Sequence, residues 1–252
     1  MDNKNYKIKS NETISLCFVG DIHCGSSQFD SDFFEYWIQN MKRTTNKRIY
    51  VMGDCLEAAS KHIANSSFRQ EIDVNDQRQF IVEALEPFSD DIVIYHSGNH
   101  EARLSKEFDF DIAKDMAREL GVPYSKGSYI DTFTVNGKEY NVNTAHGKGS
   151  ASRRDLIIGK LLRDTAKIDA TIFARGHLHH SLSFTDYYKS KNGLERKYYL
   201  CTGSFLQYSG GYAEEMQLNE VSPAYQILNI NRNQKIQITE VDSIDIHNNA
   251  MG

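Results

Sequence analysis

The amino-acid sequence predicts an α/β protein in which two packed sheets are flanked by helices. In the first half, short β-rich runs alternate with segments whose apolar residues recur at helical spacing, a pattern typical of parallel sheets covered by helices. In the second half, the Asn136-Gly137 pair separates two β-rich runs and predicts a hairpin. The chain has only three prolines and no low-complexity tract, so nothing marks a linker. We therefore expect one domain over residues 1–252.

The predicted elements follow one another in a regular order. An apolar run at 14–19 predicts the first strand, and helical spacing of aromatic and aliphatic residues predicts the first helix over 30–41. The first half is also predicted to contain strands at 49–52 and 92–95 and helices over 75–88 and 108–120. The second half is predicted to contain strands at 129–135, 138–144, 170–174, 182–189, 194–201, 225–230 and 235–241, and a helix over 153–165.

Composition excludes several classes of protein. Apolar residues make up 40% of the chain and charged residues 25%, as in ordinary globular proteins, and no apolar run approaches the ~20 residues of a membrane helix. The net charge of −5 means that contact with nucleic acid would need a local site. Four cysteines lie far apart without a C-x-x-C pair, and no apolar segment precedes Ile14. These features predict reduced thiols and a cytoplasmic location.

Five short polar clusters each follow directly after a predicted strand. They are Gly20-Asp21-Ile22-His23, Gly53-Asp54, Gly98-Asn99-His100-Glu101, His146-Gly147 and Gly176-His177-Leu178-His179. Because the carboxyl ends of parallel strands converge on one crevice, we expect these side chains to meet there. They offer carboxylates, imidazoles and an amide oxygen, a donor set that suits manganese, iron or zinc and argues against a structural cysteine–zinc site. The set is too large for one ion, so two ions sharing a carboxylate are predicted.

In order along the chain, D-x-H, G-D, G-N-H-E, H-G and G-H-x-H resemble the motifs of the calcineurin-like metallophosphoesterase superfamily. Single Gly-Asp or Gly-Asn pairs are common in turns, but five such clusters in one order over residues 20–179 form a specific pattern. The resemblance implies a four-layer α/β/β/α sandwich, completed by the strands at 180–242, and two divalent metal ions. Manganese is expected first, with iron, zinc or nickel as alternatives. The resemblance assigns one ion to Asp21, His23 and His179, the other to Asn99, His146 and His177, and both to Asp54.

The same resemblance gives His100 a catalytic role without making it a ligand. Glu57 stands where members of the family often carry a carboxylate, which would orient His100. Two divalent ions lower the pKa of a shared water toward neutrality, so we expect a metal-bridged hydroxide to attack phosphorus in line. His100 would then protonate the leaving oxygen.

The expected substrate is a phosphoester. Protein phosphatases of the superfamily carry phosphate-binding arginines where this sequence has Ala58 and Ser97, which disfavours phosphoproteins. The chain more closely resembles compact bacterial or phage-type members, including DNA repair exonuclease-like proteins, and this favours a phosphodiesterase or nuclease acting on nucleic acid or nucleotides. The alternatives are a phosphomonoesterase for a small substrate and a metal-binding scaffold without catalysis. No membrane partner is expected.

Basic side chains close to the five clusters are candidates for substrate contact. They are Arg103, Lys148, Arg153 and Arg154, with Lys106 and Arg175 also near in sequence. The alternative is an ordinary solvated face. Two segments without a clear period, 58–73 and 204–223, are predicted to shape the substrate site.

Overall fold

The computed structural model describes residues 4–9, 12–59, 72–190, 193–208 and 221–250. The strands are β1 (Lys4–Tyr6), β2 (Thr13–Val19), β3 (Lys47–Val51), β4 (Ile92–His96), β5 (Tyr124–Ser125), β6 (Tyr129–Val135), β7 (Lys138–Ala145), β8 (Ile172–Arg175), β9 (Ser181–Ser190), β10 (Gly193–Ser204), β11 (Ala224–Asn231) and β12 (Ile236–Asp242). The α-helices are α1 (Ser31–Arg43), α2 (Val74–Leu85), α3 (Asn99–Phe108), α4 (Ile112–Glu119), α5 (Arg154–Thr165) and α6 (Ser243–Ala250). A 3₁₀ helix, Glu86–Asp91, follows α2.

Two sheets share a single pairing at one corner. One sheet has the strand order β12-β11-β2-β3-β4-β5, in which β2 to β5 are parallel and β11 and β12 are antiparallel to their neighbours. The other has the order β1-β6-β7-β8-β10-β9, in which β7, β8 and β10 are parallel. A short antiparallel pairing of β10 with β11, at Gly203 and Ser204, joins the two sheets.

Three apolar cores define the layers of the protein. Alternate residues of β2 face opposite sides: Cys17 and Val19 pack beneath α1, α2 and α4, whereas Leu16 and Phe18 pack against the other sheet. A third core forms beneath α5, where Ile157 and other apolar side chains of the helix meet β8, β9 and β10. The order is therefore helix, sheet, sheet, helix. The predicted α/β/β/α sandwich is confirmed.

Local sequence signals explain individual elements. The carboxylate of Asp30 accepts the backbone N–H of Phe33 at 3.0 Å and caps α1, whose apolar face is buried as its spacing predicts. Asn136 and Gly137 both have positive φ, at 47° and 83°, as the predicted type I′ turn between β6 and β7 requires. No helix among the described residues is long and apolar enough to cross a membrane.

The structure differs from the sequence prediction around residues 99–120. One helix over 108–120 was expected, but two helices are present, α3 and α4, separated at Asp109 in the left-handed conformation. Apolar periodicity misses α3 because Leu104 is its one buried apolar residue. The short strands β1 and β5 and helix α6 were also not expected. Most of the predicted segments 58–73 and 204–223 lies outside the described residues.

A buried ion pair joins the two sheets. Arg48 on β3 donates to both carboxylate oxygens of Asp131 on β6, with the shortest contact at 2.6 Å, and both side chains are less than a tenth exposed. The hydroxyl of Tyr50 donates to the same carboxylate at 2.6 Å, and Arg48 donates to the hydroxyl of Tyr6 at 2.8 Å. Because both charges are desolvated, removing one partner leaves the other buried and uncompensated.

We expect Arg48→Met to lower the free energy of unfolding by about 3–5 kcal/mol, because it leaves the Asp131 carboxylate buried without its cation. Arg118→Met is the matched control, since the Arg118–Asp115 pair is largely exposed on its arginine side and should contribute at most about 1 kcal/mol. Urea unfolding measures both. A double variant, Arg48→Met with Asp131→Leu, should recover part of the loss. Equal effects of Arg48→Met and Arg118→Met would contradict this interpretation.

Candidate metal centre

The side chains named as metal ligands by the sequence lie where five strands end. β2, β3 and β4 of one sheet lead into Asp21, Asp54 and Asn99, and β7 and β8 of the other lead into His146 and the pair His177 and His179. Potential ligand atoms form three overlapping groups within 4.8 Å: Asp21, His23, His179; Asp54, His146, His177; and His23, Asp54, His100. The crevice predicted from strand order therefore exists, and both sheets contribute to it.

The backbone is in the left-handed region at five of these positions. The φ angles of Asp21, His23, Asp54, His177 and His179 are 49°, 51°, 48°, 72° and 57°. For a residue with a Cβ this conformation costs roughly 1–2 kcal/mol, and such strain is concentrated at functional sites. The turns place side chains of consecutive strands into one crevice.

The first group contains a buried oxygen that lacks a donor. Asp21 Oδ1 has no hydrogen-bond partner in the described part of the chain and lies 3.4 Å from His179 Nε2. The other oxygen, Oδ2, accepts the backbone N–H of His177 at 2.8 Å. The Nε2 atoms of His23 and His179 are 3.1 Å apart. A buried carboxylate oxygen without a donor is costly, and a cation held by these three side chains would remove that cost.

The two histidines of the second group donate hydrogen bonds to backbone carbonyls. His146 Nδ1 donates to Met52 O at 2.8 Å and His177 Nε2 donates to Gly149 O at 2.6 Å. This leaves His146 Nε2 facing two acceptors, Asn99 Oδ1 at 3.0 Å and Asp54 Oδ2 at 3.3 Å. Histidine ligands characteristically donate their other ring N–H to a carbonyl or carboxylate, which fixes the coordinating nitrogen. These residues therefore fit a divalent cation of the manganese, iron or zinc type.

Protonation compensates the carboxylates when no cation is bound. Burial alone would lower the pKa of His146, but the neighbouring Asp54 carboxylate raises it to about 10. Burial likewise opposes ionisation of Asp54, but His146 holds the pKa of that carboxyl well below its usual range. The imidazolium of His146 thus occupies the electrostatic role that a bound cation would take.

His100 and Glu57 lie beside the first group. The carboxylate of Glu57 accepts from His23 Nδ1 at 3.0 Å, and its carbonyl oxygen accepts from His100 Nδ1 at 2.8 Å. The sequence predicts that the carboxylate orients His100; in the structure His100 Nδ1 donates to the carbonyl oxygen of Glu57, and the carboxylate oxygen Oε1 is 3.5 Å from the same nitrogen. The guanidinium of Arg103 donates to His100 Nε2 at 2.9 Å. Burial, with the neighbouring His23, lowers the pKa of His100 to about 4.

Glu101 ties two of the ligand loops together, a role that sequence reasoning missed. Its buried carboxylate accepts four backbone N–H groups, those of Asp54, Cys55, Leu56 and Gly98, at 2.7 to 3.1 Å. Burial raises the pKa of this carboxyl to about 7, although the N–H donors favour its ionised form. The signal in the sequence was its place in the Gly98-Asn99-His100-Glu101 cluster, three residues after a helix N-cap.

Gly98 lies against Asp54 so closely that a Cβ at this position would collide with Asp54 Oδ1 and the Asp54 amide. A Cβ on Gly53 would in turn meet Gly98 N at 2.6 Å. The two loops therefore pack backbone to backbone, which places the Asp54 carboxylate between the ligand groups.

A cavity of about 490 Å³ opens beside the second group. Its lining includes Asn99 and His146, together with the basic side chains of Lys126, Lys148 and Arg175. Among the candidate substrate residues, Lys148 thus lies at the cavity and Arg103 lies against His100. Arg153 and Arg154 are exposed at the start of α5 and do not line this cavity, and Arg153 pairs with Asp155.

Solved structures of similar fold cover most of the chain. Vps29 from Chaetomium thermophilum is 12% identical, with a TM-score of 0.48 over 90% of this chain and 97% of that one. A conserved Streptococcus pneumoniae protein described as a predicted phosphoesterase is 13% identical, with a TM-score of 0.38 over 92% and 98%. NAD nucleotidase from Haemophilus influenzae is 10% identical, with a TM-score of 0.47 over 90% of this chain and 49% of that one.

No family model and no curated protein matches the sequence. The structural similarities concern the fold alone.

Binding of Mn²⁺ to the metal-free protein near pH 7 should release protons, because His146 must lose its proton to act as a ligand. The same holds for His23, whose pKa the Glu57 carboxylate raises against the effect of burial. The affinity should therefore increase as the pH rises. Isothermal titration calorimetry in buffers of different ionisation enthalpy measures the release. His146→Ala should reduce it, and His180→Ala is the control, since His180 is not part of any of the three groups. A binding heat independent of the buffer would contradict the role of His146.

Gly98→Ala should weaken Mn²⁺ binding by about tenfold or more, because the added methyl group displaces the Asp54 carboxylate. Gly127→Ala is the matched control: a Cβ at Gly127 meets no atom within 4 Å. Calorimetric titration of the two variants gives the comparison. Unchanged affinity in Gly98→Ala would show that Asp54 is not a ligand.

Proposed function

We propose that the protein is a metal-dependent phosphoester hydrolase. The observation that carries the proposal is the convergence of three overlapping His/Asp groups, one of which includes His100. Asp21, His23 and His179 would hold one divalent ion, Asn99, His146 and His177 a second, and Asp54 both. Manganese is the expected metal, with iron, zinc or nickel as alternatives. Bound divalent ions supply Lewis-acid polarisation of the phosphoryl group and a nucleophile at neutral pH.

The chain's own residues would orient and protonate the reacting groups. His100 donates through Nδ1 to the Glu57 carbonyl and accepts from Arg103 at Nε2, so Nε2 is the ring nitrogen that would face the leaving oxygen. The negative charge of a bound phosphoester would favour the imidazolium form, in which Nε2 carries the proton that it passes to the leaving oxygen. Arg103 lies at this nitrogen, and its guanidinium would pair with a non-bridging phosphoryl oxygen. Glu57 would hold His23 in the orientation that leaves His23 Nε2 free for the metal.

The favoured reaction is hydrolysis of a phosphodiester of nucleotide type. A diester carries two organic groups on phosphorus, and the cavity beside Asn99 and His146 offers room for one of them. Polymeric nucleic acid is the further substrate to test. Because the net charge of the protein is −5, any contact with this polyanion would have to come from a local site.

The substrate class is tested with Mn²⁺ and four substrates: bis-p-nitrophenyl phosphate, p-nitrophenyl phosphate, single-stranded DNA and double-stranded DNA. We expect the bis-p-nitrophenyl ester to be hydrolysed with the higher kcat/KM of the two chromogenic esters. A wide preference for the monoester would instead assign a phosphomonoesterase.

The catalytic role is tested with His100→Ala. Loss of the proton donor should lower kcat by about 100-fold or more, while the metal content measured by elemental analysis stays at the level of the unmodified protein. Absence of hydrolysis in the unmodified, metal-loaded protein would indicate a scaffold without catalysis. A variant that loses its metal together with its activity would make His100 a ligand.

A further inference from the structure

The cavity beside the candidate metal centre carries positive charge that the protein itself does not neutralise. Besides the imidazole of His146, which pairs with Asp54 at 3.3 Å, its lining contains three cationic side chains, Lys126, Lys148 and Arg175, and one acidic side chain, Asp164. Lys126 is paired with Asp111 at 2.8 Å, and Asp164 is paired with Lys160 at 3.0 Å. This leaves Lys148 and Arg175 as the cations available to a ligand.

Arg175 is buried in an unusual way for a charged residue. It is 5% exposed, and its guanidinium donates to Asn143 O at 3.1 Å, Ala174 O at 2.8 Å and Asn143 Oδ1 at 2.6 Å. These partners are neutral, and no carboxylate in the described ranges lies within ion-pair distance. A guanidinium has five N–H donors, so the three bonds leave Nε and one hydrogen of Nη2 for a ligand.

The position of Arg175 is fixed by the sheet. β8 pairs in parallel with both β7 and β10, and Asn143, which accepts two of the three bonds, lies on β7 and is itself fully buried. Asn143 Nδ2 donates to Ser128, another lining residue, at 2.6 Å. The guanidinium is thus held rigidly at the cavity wall, whereas Lys148 is an exposed, flexible cation at the same cavity.

We propose that this cavity binds a second phosphate of the substrate through Arg175 and Lys148. The inference rests on the proposed function and narrows its substrate class to small phosphoesters that carry a second phosphate, such as nucleoside bisphosphate derivatives. A fixed guanidinium with free N–H donors recognises phosphate oxygens directionally, and an ammonium adds a point charge. The shared lining residues Asn99 and His146 place the second phosphate next to the one that reacts. A volume of about 490 Å³ suits a ligand of nucleotide size.

Anion binding to the metal-free protein tests the cavity without depending on catalysis. With metal removed by a chelator, inorganic phosphate should bind in calorimetric titration, and Lys148→Gln and Arg175→Gln should each weaken the binding by about tenfold. Lys235→Gln is the matched control, because Lys235 is exposed at the opposite end of the sheet, next to β12, and should leave the binding unchanged. Phosphate binding that is absent, or that is equal in Lys148→Gln and the unmodified protein, would overturn the proposal. Lys148 is exposed, so its variant keeps the test decisive should Arg175→Gln fail to fold.

A pair of chromogenic diesters then tests substrate selection. The p-nitrophenyl ester of thymidine 5′-phosphate is compared, with Mn²⁺, to the same compound bearing a 3′-phosphate. We expect the second phosphate to lower KM by about tenfold, Lys148→Gln to remove this advantage and Lys235→Gln to retain it. Hydrolysis of both esters with equal KM would overturn the inference and leave the proposed function standing. Hydrolysis of neither would refute the proposed function, while the phosphate titration would still decide whether the cavity binds anions.

Discussion

The candidate site depends on backbone conformations that are unfavourable for residues with side chains. Five of the seven proposed ligands have positive φ, each at the carboxyl end of a strand. Asp and His tolerate this region better than β-branched residues, which is one reason why they can stand there. The conformation persists because surrounding contacts determine it: Asp21 is fixed through its Oδ2 by the amide of His177, and Asp54 through its Oδ1 by the amide of His100. The proposed ligands therefore hold each other's loops in place.

Carboxylates serve the site in two distinct ways. Asp21 and Asp54 face the ligand groups, whereas Glu101 faces away and binds the amides of the adjacent loop. Glu57 has a third role: its carboxylate accepts a hydrogen bond from Nδ1 of His23, which leaves Nε2 of the same ring for the proposed metal ion. Acidic residues behind the ligands raise the basicity of the imidazoles and fix the ring nitrogen that points inward. The rest of the sandwich, including the Arg48–Asp131 pair, keeps the two sheets that contribute these loops in register.

Much of the fold follows from the sequence, because long elements bury one regular face. Apolar runs in the sequence predict the parallel strands β2, β3 and β4, and the helical spacing of apolar residues predicts α1. Each cluster of proposed ligands could then be located by the strand before it. Helix α3 could not, since its first turn consists of site residues and one buried leucine provides no apolar pattern. The hydrogen bond from His23 to Glu57 and the pocket around Arg175 also escaped, because they depend on which side chains of separate loops face each other. In the sequence, Arg175 resembles any other basic residue near a motif.

The buried positions of the four cysteines make their thiols sensitive to local unfolding. All are buried and free, and burial raises the pKa of the thiols of Cys17, Cys24 and Cys201 to about 12 and that of Cys55 well above its ordinary value. Since the thiolate is the reactive species, these groups resist alkylation and oxidation while the native packing persists. Cys55 follows Asp54 directly, and Cys201 lies in β10 of the other sheet. The rate at which each thiol is labelled would therefore report how readily the layer around it unfolds locally. Together the cysteines would report local unfolding in both sheets of the sandwich.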